Sequence, residues 1–318
     1  MFDTPILLII FKRPETTLQV FNAIKQIRPR QLFIAADGPR KEIIGEAELC
    51  EKTRLLVIEN IDWDCDVKTL FQSENLGCGR NPANAITWFF EHVEEGIILE
   101  DDCIPSLSFF NYCSELLCKY RNDEHVYVIG GNNFQEKKWG NATYFFSAYG
   151  HIWGWATWRR AWMHFDFELK NIDRQLFLSN LERYFPLKQQ REYWCKIFDK
   201  TKENPVSHIW DYQWTLIQWA NNAKNIYPNF NLVKNIGIGE EATHTSVNEI
   251  GVMNLNTVEI SQLIHPRNIK INKMADIYTF HKRFQKKVVK PSIISRIKNK
   301  LYRYINKYIT SLTNIRHR

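Results

Sequence analysis

Residues 97–105 read Ile-Ile-Leu-Glu-Asp-Asp-Cys-Ile-Pro. Three consecutive carboxylates, Glu100, Asp101 and Asp102, follow three aliphatic residues, and their mutual repulsion costs stability unless something positive sits nearby. Side chains alternate along an extended segment, which places Glu100 and Asp102 on one side and Asp101 on the other. Hard divalent cations such as Mn²⁺ or Mg²⁺ prefer oxygen ligands and commonly sit between one or two carboxylates and the phosphates of a substrate. The chemistry expected here is therefore a metal-phosphate site. A solvated acidic turn is the plain alternative; the buried strand that precedes the acids weighs against it.

The elements that must position these acids can be read from periodicity. Residues 5–11 form an apolar run, after which Pro14 suits a helix start and Leu18, Phe21, Ile24 and Ile27 recur at helical spacing. Residues 31–40 read as a second strand ending in Asp37-Gly38-Pro39, followed by a charged helix to about residue 54. A third strand lies within 66–77, a helix is expected from Pro82 to Val93 with Gly96 ending it, and residues 97–99 begin the next strand. Four strand-helix alternations predict an α/β fold with a mostly parallel sheet flanked by helices. Ligands of such sheets bind at the carboxyl ends of the strands, and Arg13, Asp37 and Glu100–Asp102 all fall just past such ends. Beyond them come an aromatic stretch at 145–162, a helical middle at 176–200, a further helix following Asp211, and strands and turns to about 245.

Composition bounds the rest. A chain of 318 residues with 44% hydrophobic and 24% charged residues is ordinary globular material. No apolar run approaches the ~20 residues that span a bilayer, and the first residues lack the basic and apolar regions of a secretion signal. Seven cysteines without a CxxC pair or zinc-ligand rhythm fit a reduced, cytoplasmic protein. The net charge of +7 hides an asymmetry: twelve of the 42 Lys/Arg and none of the 35 Asp/Glu fall in residues 280–318, which leaves the preceding residues at −5. Within 280–318, Ile293, Ile297, Leu301, Ile305, Tyr308 and Leu312 recur at steps of three or four among basic residues. This is an amphipathic basic helix suited to an anionic membrane surface, such as the inner face of the cell membrane, or to docking on the body or another subunit. Nucleic acid is not the expected partner, because no nucleic-acid module accompanies the charge. The expected division is a catalytic body over 1–265, in two halves meeting at 131/132, and a basic tail over 266–318.

Other phosphate-binding solutions fail on inspection. GCGRNP (77–82) has Pro82 where a dinucleotide fingerprint needs its third glycine, there is no GxxxxGK[ST] loop, and FKRPETT (11–17) is not the glycine-rich basic loop of a pyrophosphorylase. What FKRPETT, IAADGP (34–39), IILEDDCIPSLSFFNY (97–112) and GWATWRRAW (154–162) leading to IWDYQW (209–214) resemble together is the GT-A class of nucleotide-sugar glycosyltransferases. Within that class they are similar to bacterial family-2-like enzymes with a likeness to N-acetylglucosaminyltransferase I. The likeness covers roughly residues 4–245.

The resemblance implies a Rossmann-like GT-A fold in which Asp102 holds Mn²⁺ or Mg²⁺ against the diphosphate of a UDP-sugar. By the same carry-over Glu100 and Asp101 face the ribose and sugar, Asp37 meets the uracil edge, Arg13 lies beside the nucleotide, and Arg80 and Asn81 map near a base-contacting position. Asp211 matches the general base that deprotonates an acceptor hydroxyl, and burial among Trp210, Tyr212 and Trp214 would raise its pKa; a helix-capping aspartate is the structural alternative. This chain has a single acid there, followed by Tyr212, where the eukaryotic motif has two adjacent acids. Gly154 and Trp155 are expected to line the sugar pocket, with Trp158 and Trp162 in the core. His244 is a weaker candidate beside the metal, or a structural histidine. The implied activity is an inverting transfer of a sugar, with N-acetylglucosamine as one candidate, to a hydroxyl of a surface or lipid-linked glycan. A sugar-phosphate nucleotidyltransferase and a non-catalytic sugar-nucleotide- or glycan-binding protein remain open.

Overall fold

The aliphatic run after Pro5 becomes β1 (Ile6–Ile10), every residue of which is buried. In the computed structural model, which describes residues 1–204, 209–237 and 255–284, β1 opens a regular alternation. It continues through α1 (Pro14–Ile27), β2 (Gln31–Ala36), α2 (Glu46–Glu59), β3 (Asp66–Phe71), α3 (Gly77–His92) and β4 (Glu95–Glu100). Pro14 starts α1 as expected, since its missing N–H is one that a first turn leaves unpaired anyway. Val20, Phe21 and Ile24 of α1 pack into the same core as Leu8 and Ile10 of β1 and Leu32 and Ile34 of β2.

The second half is less regular. It comprises β5 (Cys103–Pro105), α4 (Leu107–Tyr120), β6 (Val126–Gly130), β7 (Tyr144–Ser147), β8 (Trp155–Trp158), α5 (Arg159–Trp162), α6 (Arg174–Tyr184), α7 (Lys188–Glu203), α8 (Asp211–Ala220), β9 (Lys224–Pro228), β10 (Val233–Asn235) and α9 (Lys273–Thr279). Eight strands form one sheet in the order β3-β2-β1-β4-β8-β6-β9-β7. The pairs β1–β2, β1–β4, β2–β3 and β6–β9 are parallel; β8 is antiparallel to β4 and β6, and β7 to β9. The fold is the α/β class expected, a mostly parallel central sheet flanked by helices.

Two elements depart from the sequence reading for identifiable reasons. Helix α3 begins at Gly77 and carries Pro82 inside it, where Pro82 was expected to start it. Its first turn has no local side-chain cap; the N–H groups of Leu76 and Gly77 donate instead to Asp37, at the end of β2 (2.8 and 3.0 Å). The body also runs past residue 265: a compact unit extends over Met1–Thr279, and Ala275 and Asp276 of α9 are fully buried. All seven cysteines are free thiols. No helix among the described residues is long and apolar enough to cross a membrane, and the amphipathic stripe at 293–312 lies outside the described residues.

Candidate functional site

Register brings the chemistry together. Ile10 pairs with Ala36 across β1–β2 and Ile9 with Glu100 across β1–β4, so these three strands end level with one another. The residues that follow share a cavity of about 700 Å³ whose wall includes Arg13, Asp37, Glu100, Asp101, Asp102 and Asp211. The structure thus collects these six expected site residues, with Asp211 arriving at the start of α8 from the far half of the chain.

The positive partner demanded by three adjacent carboxylates is, in the first instance, Arg13. Its Nε donates to Asp101 Oδ2 (3.2 Å), its second guanidinium nitrogen donates to Asp101 Oδ1, and that same nitrogen reaches Asp102 Oδ2 at 3.0 Å. Burial alone would loosen the Arg13 proton, yet Asp101 and then Asp102 hold its pKa above the ordinary guanidinium value. The alternation expected along 100–102 therefore does not hold. β4 ends at Glu100 and the next two residues form a turn, which lets one guanidinium grasp both aspartates. Asp101 is buried, which raises its pKa against the opposing pull of Arg13. Glu100 accepts no hydrogen bond among the described residues. Burial first, then Asp102 and Asp101, push it up to about 8, with Arg13 opposing and Asp211 adding to the rise.

Asp37 is built differently. Oδ1 accepts the N–H groups of Gly38 (2.9 Å) and Leu76 (2.8 Å), while Oδ2 accepts Gly77 N–H (3.0 Å) and Asn75 Nδ2 (3.1 Å). Burial raises its pKa, and these backbone donors pull it back. The result is an anionic cap for α3 supplied from the neighbouring strand, stabilised by the positive end of the helix. Asp37 lines the cavity, but its oxygens are already engaged by the protein itself.

Asp102 is fixed from a third direction. The ribbon β5–β10 lays residues 233–235 antiparallel to 103–105, Ile236 N–H donates to the Asp102 carbonyl (2.8 Å), and Asn235 Nδ2 donates to Asp102 Oδ1 (3.1 Å). Gly237 then passes so close that a Cβ there would meet Asp102 Oδ2 at 2.1 Å. Oxygen ligands on Glu100 and Asp102, one of them desolvated and unneutralised, fit a hard divalent cation. Among the described residues no three His, Cys, Asp or Glu converge as a ready-made cage. A cation here would take one or two carboxylates and complete its shell from a phosphate-bearing ligand, as Mg²⁺ ordinarily does.

Several cavity residues were not singled out from the sequence. Lys12 and Arg40 both line the wall and both bind Glu46, which is 1% exposed and held down to about 2, chiefly by its hydrogen bonds to Arg40. Glu46 thus spends one buried charge orienting two cations at the rim. Asn75 and Asn235 are also in the wall, as is Asn81, which the resemblance maps with Arg80 near a base-contacting position. Nothing in the spacing of Asn75 and Asn235 marks them; of the residues not singled out, only Lys12, beside Arg13 in FKRPETT, had a signal.

The other expected residues lie elsewhere. Trp155 is fully buried, stacked at 6.0 Å on Trp210, with Trp162 and Trp214 around it. Trp153 and Trp210 line the cavity in its place, and Trp155 backs Trp210. Gly154 sits at φ +61° and gives its carbonyl to Gly131 N–H, with Val233 against the space a side chain would need; its place is fixed by backbone packing. Trp158 and Trp162 are core, as expected. Arg80 is exposed, with its guanidinium 4.9 Å from the Phe167 ring, and is not in the wall. His244 lies outside the described residues. Cys78, in the wall, has its thiol pKa raised by burial, eased by a hydrogen bond with its own backbone, and raised again by the charges of Glu100, Asp37 and Asp211, which disfavours a thiolate nucleophile.

No protein-family model and no curated protein matches the sequence. Among solved structures, HddC from Yersinia pseudotuberculosis aligns at 9% identity over 50% of this chain and 78% of its own, with a TM-score of 0.29. S. aureus TarS 1-349 aligns at 9% identity over 61% of this chain and 54% of its own (TM-score 0.31). A 4-diphosphocytidyl-2C-methyl-D-erythritol synthase from Anaerococcus prevotii DSM 20548 aligns at 9% identity over 62% and 84% (TM-score 0.30).

Proposed function

We propose that the chain is a divalent-cation-dependent glycosyltransferase that uses a nucleotide-sugar donor. The observation that carries this reading is the convergence of Glu100, Asp101, Asp102 and Asp211 on one cavity whose rim also holds Lys12, Arg13 and Arg40. Cations and acids sharing one wall suit a ligand that brings both anionic phosphates and a reacting carbon. A bound Mn²⁺ or Mg²⁺ would supply charge stabilisation for the departing diphosphate. Arg13 keeps Asp102 oriented and limits the repulsion among the acids. Asp211, at the first turn of α8 beside Trp210, is the candidate base for the acceptor hydroxyl. Uridine as the donor base, N-acetylglucosamine as its sugar, inversion of configuration and a surface-glycan acceptor rest on the sequence resemblance. Attachment to an anionic membrane rests on the basic stripe of residues 280–318.

The reading is tested with a panel of UDP-sugars in Mn²⁺, following melting temperature and then UDP release with glycan acceptors. A donor that binds the native state raises the melting temperature. Asp102→Ala is expected to abolish the Mn²⁺-dependent shift. Asp211→Asn should retain the shift and lose turnover by roughly 10²- to 10⁴-fold, the range of a general base. Release of pyrophosphate from a nucleoside triphosphate in place of UDP release identifies a nucleotidyltransferase and overturns the proposal, as does donor binding with no turnover across the acceptor panel.

A further inference from the structure

The opposite edge of the sheet carries a second hollow with the reverse chemistry. Strands β6 and β9 run in the same direction as β4, because β8 is antiparallel to both β4 and β6 while β6 and β9 are parallel. Their first residues therefore lie away from the acid cavity. There a hollow of about 380 Å³ is lined by His125, Arg183, Tyr184, Asn222, Lys224 and Ile271.

None of the six is an acid, and none of His125, Arg183 and Lys224 forms a salt bridge among the described residues, in a stretch of chain, 1–279, whose net charge is −5. Three hydrogen bonds tie the lining together. Tyr184 Oη donates to the Ala223 carbonyl (2.7 Å), Lys224 N–H to the His125 carbonyl (2.6 Å), and Arg183 Nη1 to Asn222 Oδ1 (3.4 Å). The neighbouring acids Asp123 and Glu124 act on Arg160, whose burial they offset, and the Asp123 carboxylate also accepts the His125 backbone N–H. What remains toward the hollow is a set of donors: the rest of the Arg183 guanidinium, Lys224 Nζ, Asn222 Nδ2 and the His125 ring. The framework is built rather than incidental. The end of α6, the turn between α8 and β9 with Asn222 held at φ +54°, the first residue of β9 and the residue before β6 all converge on it.

We propose that this hollow binds a phosphoryl group, with Arg183 and Lys224 as its cationic ligands. A planar fork beside a compact ammonium, with a neutral amide donor and no carboxylate in the lining, is an arrangement that tetrahedral oxyanions select. The group comes either from a soluble phosphate or from a phospholipid headgroup, and the two sources are separable. The site is independent of the donor cavity and would give the enzyme a second contact with a phosphorylated ligand.

The test uses the full chain and an Arg183→Gln/Lys224→Gln double variant, which removes charge from exposed or half-exposed side chains while keeping them polar and sparing the donor cavity. Melting temperature is followed against inorganic phosphate, with chloride at matched ionic strength as reference. Co-sedimentation is followed with vesicles of phosphatidylglycerol and phosphatidylcholine against phosphatidylcholine alone. In the wild type phosphate should stabilise beyond chloride, and the double variant should need at least about tenfold more, the loss expected for two charge-assisted contacts. A parallel drop in phosphatidylglycerol binding assigns the headgroup; a drop confined to phosphate assigns a soluble anion. Equal phosphate midpoints and equal vesicle partition in the two proteins overturn the site, whatever residues 280–318 or Lys12, Arg13 and Arg40 bind on their own, since both proteins share them. UDP-sugar turnover unchanged in the variant, with phosphate binding lost, separates this site from the proposed active site.

Discussion

Asp37 and Glu100 stand at the ends of β2 and β4, the two strands that flank β1, and line the same cavity, yet they are opposites. Asp37 accepts four hydrogen bonds from its own protein. Glu100 accepts none among the described residues, and faces Asp101, Asp102 and Asp211. A carboxylate whose lone pairs are filled by backbone N–H groups is holding the fold together. One left desolvated among like charges costs stability and is retained for what it can bind. Arg13 divides the two regimes: it fully engages Asp101, half engages Asp102 and leaves Glu100 to its surroundings.

This contrast is most exposed to failure at Arg13. Removing one partner of a buried ion pair leaves the other charge uncompensated, so Arg13→Ala should destabilise the chain by about 3 kcal/mol, measured by urea unfolding. Asp101→Asn in the same background should recover much of the loss, because the orphaned charge is gone. A loss below about 1 kcal/mol, the scale of an exposed ion pair, would place the guanidinium in solvent and dissolve the distinction.

Asp37→Asn comes next. The amide keeps the shape but turns a donor toward backbone N–H groups and surrenders the charge at the start of α3, at a cost of about 2 kcal/mol for charge-assisted bonds. Donor binding by the folded variant should change little compared with Asp102→Ala. Glu100→Gln should do the reverse: melting temperature rises in metal-free buffer because a buried repulsion disappears, while the Mn²⁺-dependent stabilisation by a donor is lost. If both substitutions destabilise alike, Glu100 is as structural as Asp37.

How much of this was legible follows the same physics. The strands around Leu8, Ile34 and Leu99 are continuous buried runs, which a sequence displays openly, and an α/β alternation fixes which strand ends share an edge. That is why Arg13, Asp37, Glu100, Asp101 and Asp102 could be gathered in advance. The partner of each acid could not. Arg13 reaching both aspartates depends on β4 stopping at Glu100, and Asp37 capping α3 depends on a loop 38 residues away. Trp155 was misplaced because four buried residues of β8 and a cavity-facing aromatic have the same composition; Trp153, two positions earlier, is the one in the wall. Glu46 gave no signal because one acid near the start of a charged helix is ordinary until Lys12 and Arg40 close on it.

A third buried carboxylate tests whether the rule extends beyond the cavity. Asp276 of α9 is fully buried and accepts Ser147 Oγ–H (2.6 Å) and Ala148 N–H (2.9 Å), with no cation beside it among the described residues; burial, opposed by these two bonds, pushes it up to about 7. Two neutral donors are fewer than Asp37 has, so Asp276 should resemble Glu100 in its response to protons. Below 3.8, the ordinary carboxylate value, folded and unfolded chains both hold the proton and the stabilisation from the raised pKa is fully present. As pH rises from there the unfolded chain releases its proton while the folded chain keeps it, so stability falls, and the loss is complete above about 7. Asp276→Asn has no proton to lose; its amide can accept from Ala148 N–H and donate to Ser147 Oγ. The melting-temperature difference, variant minus wild type, should therefore grow from about pH 4 to about pH 8. A difference that stays constant across that range would mean that Asp276 is ionised throughout in the fold, and that two neutral hydrogen bonds suffice to do for it what four do for Asp37.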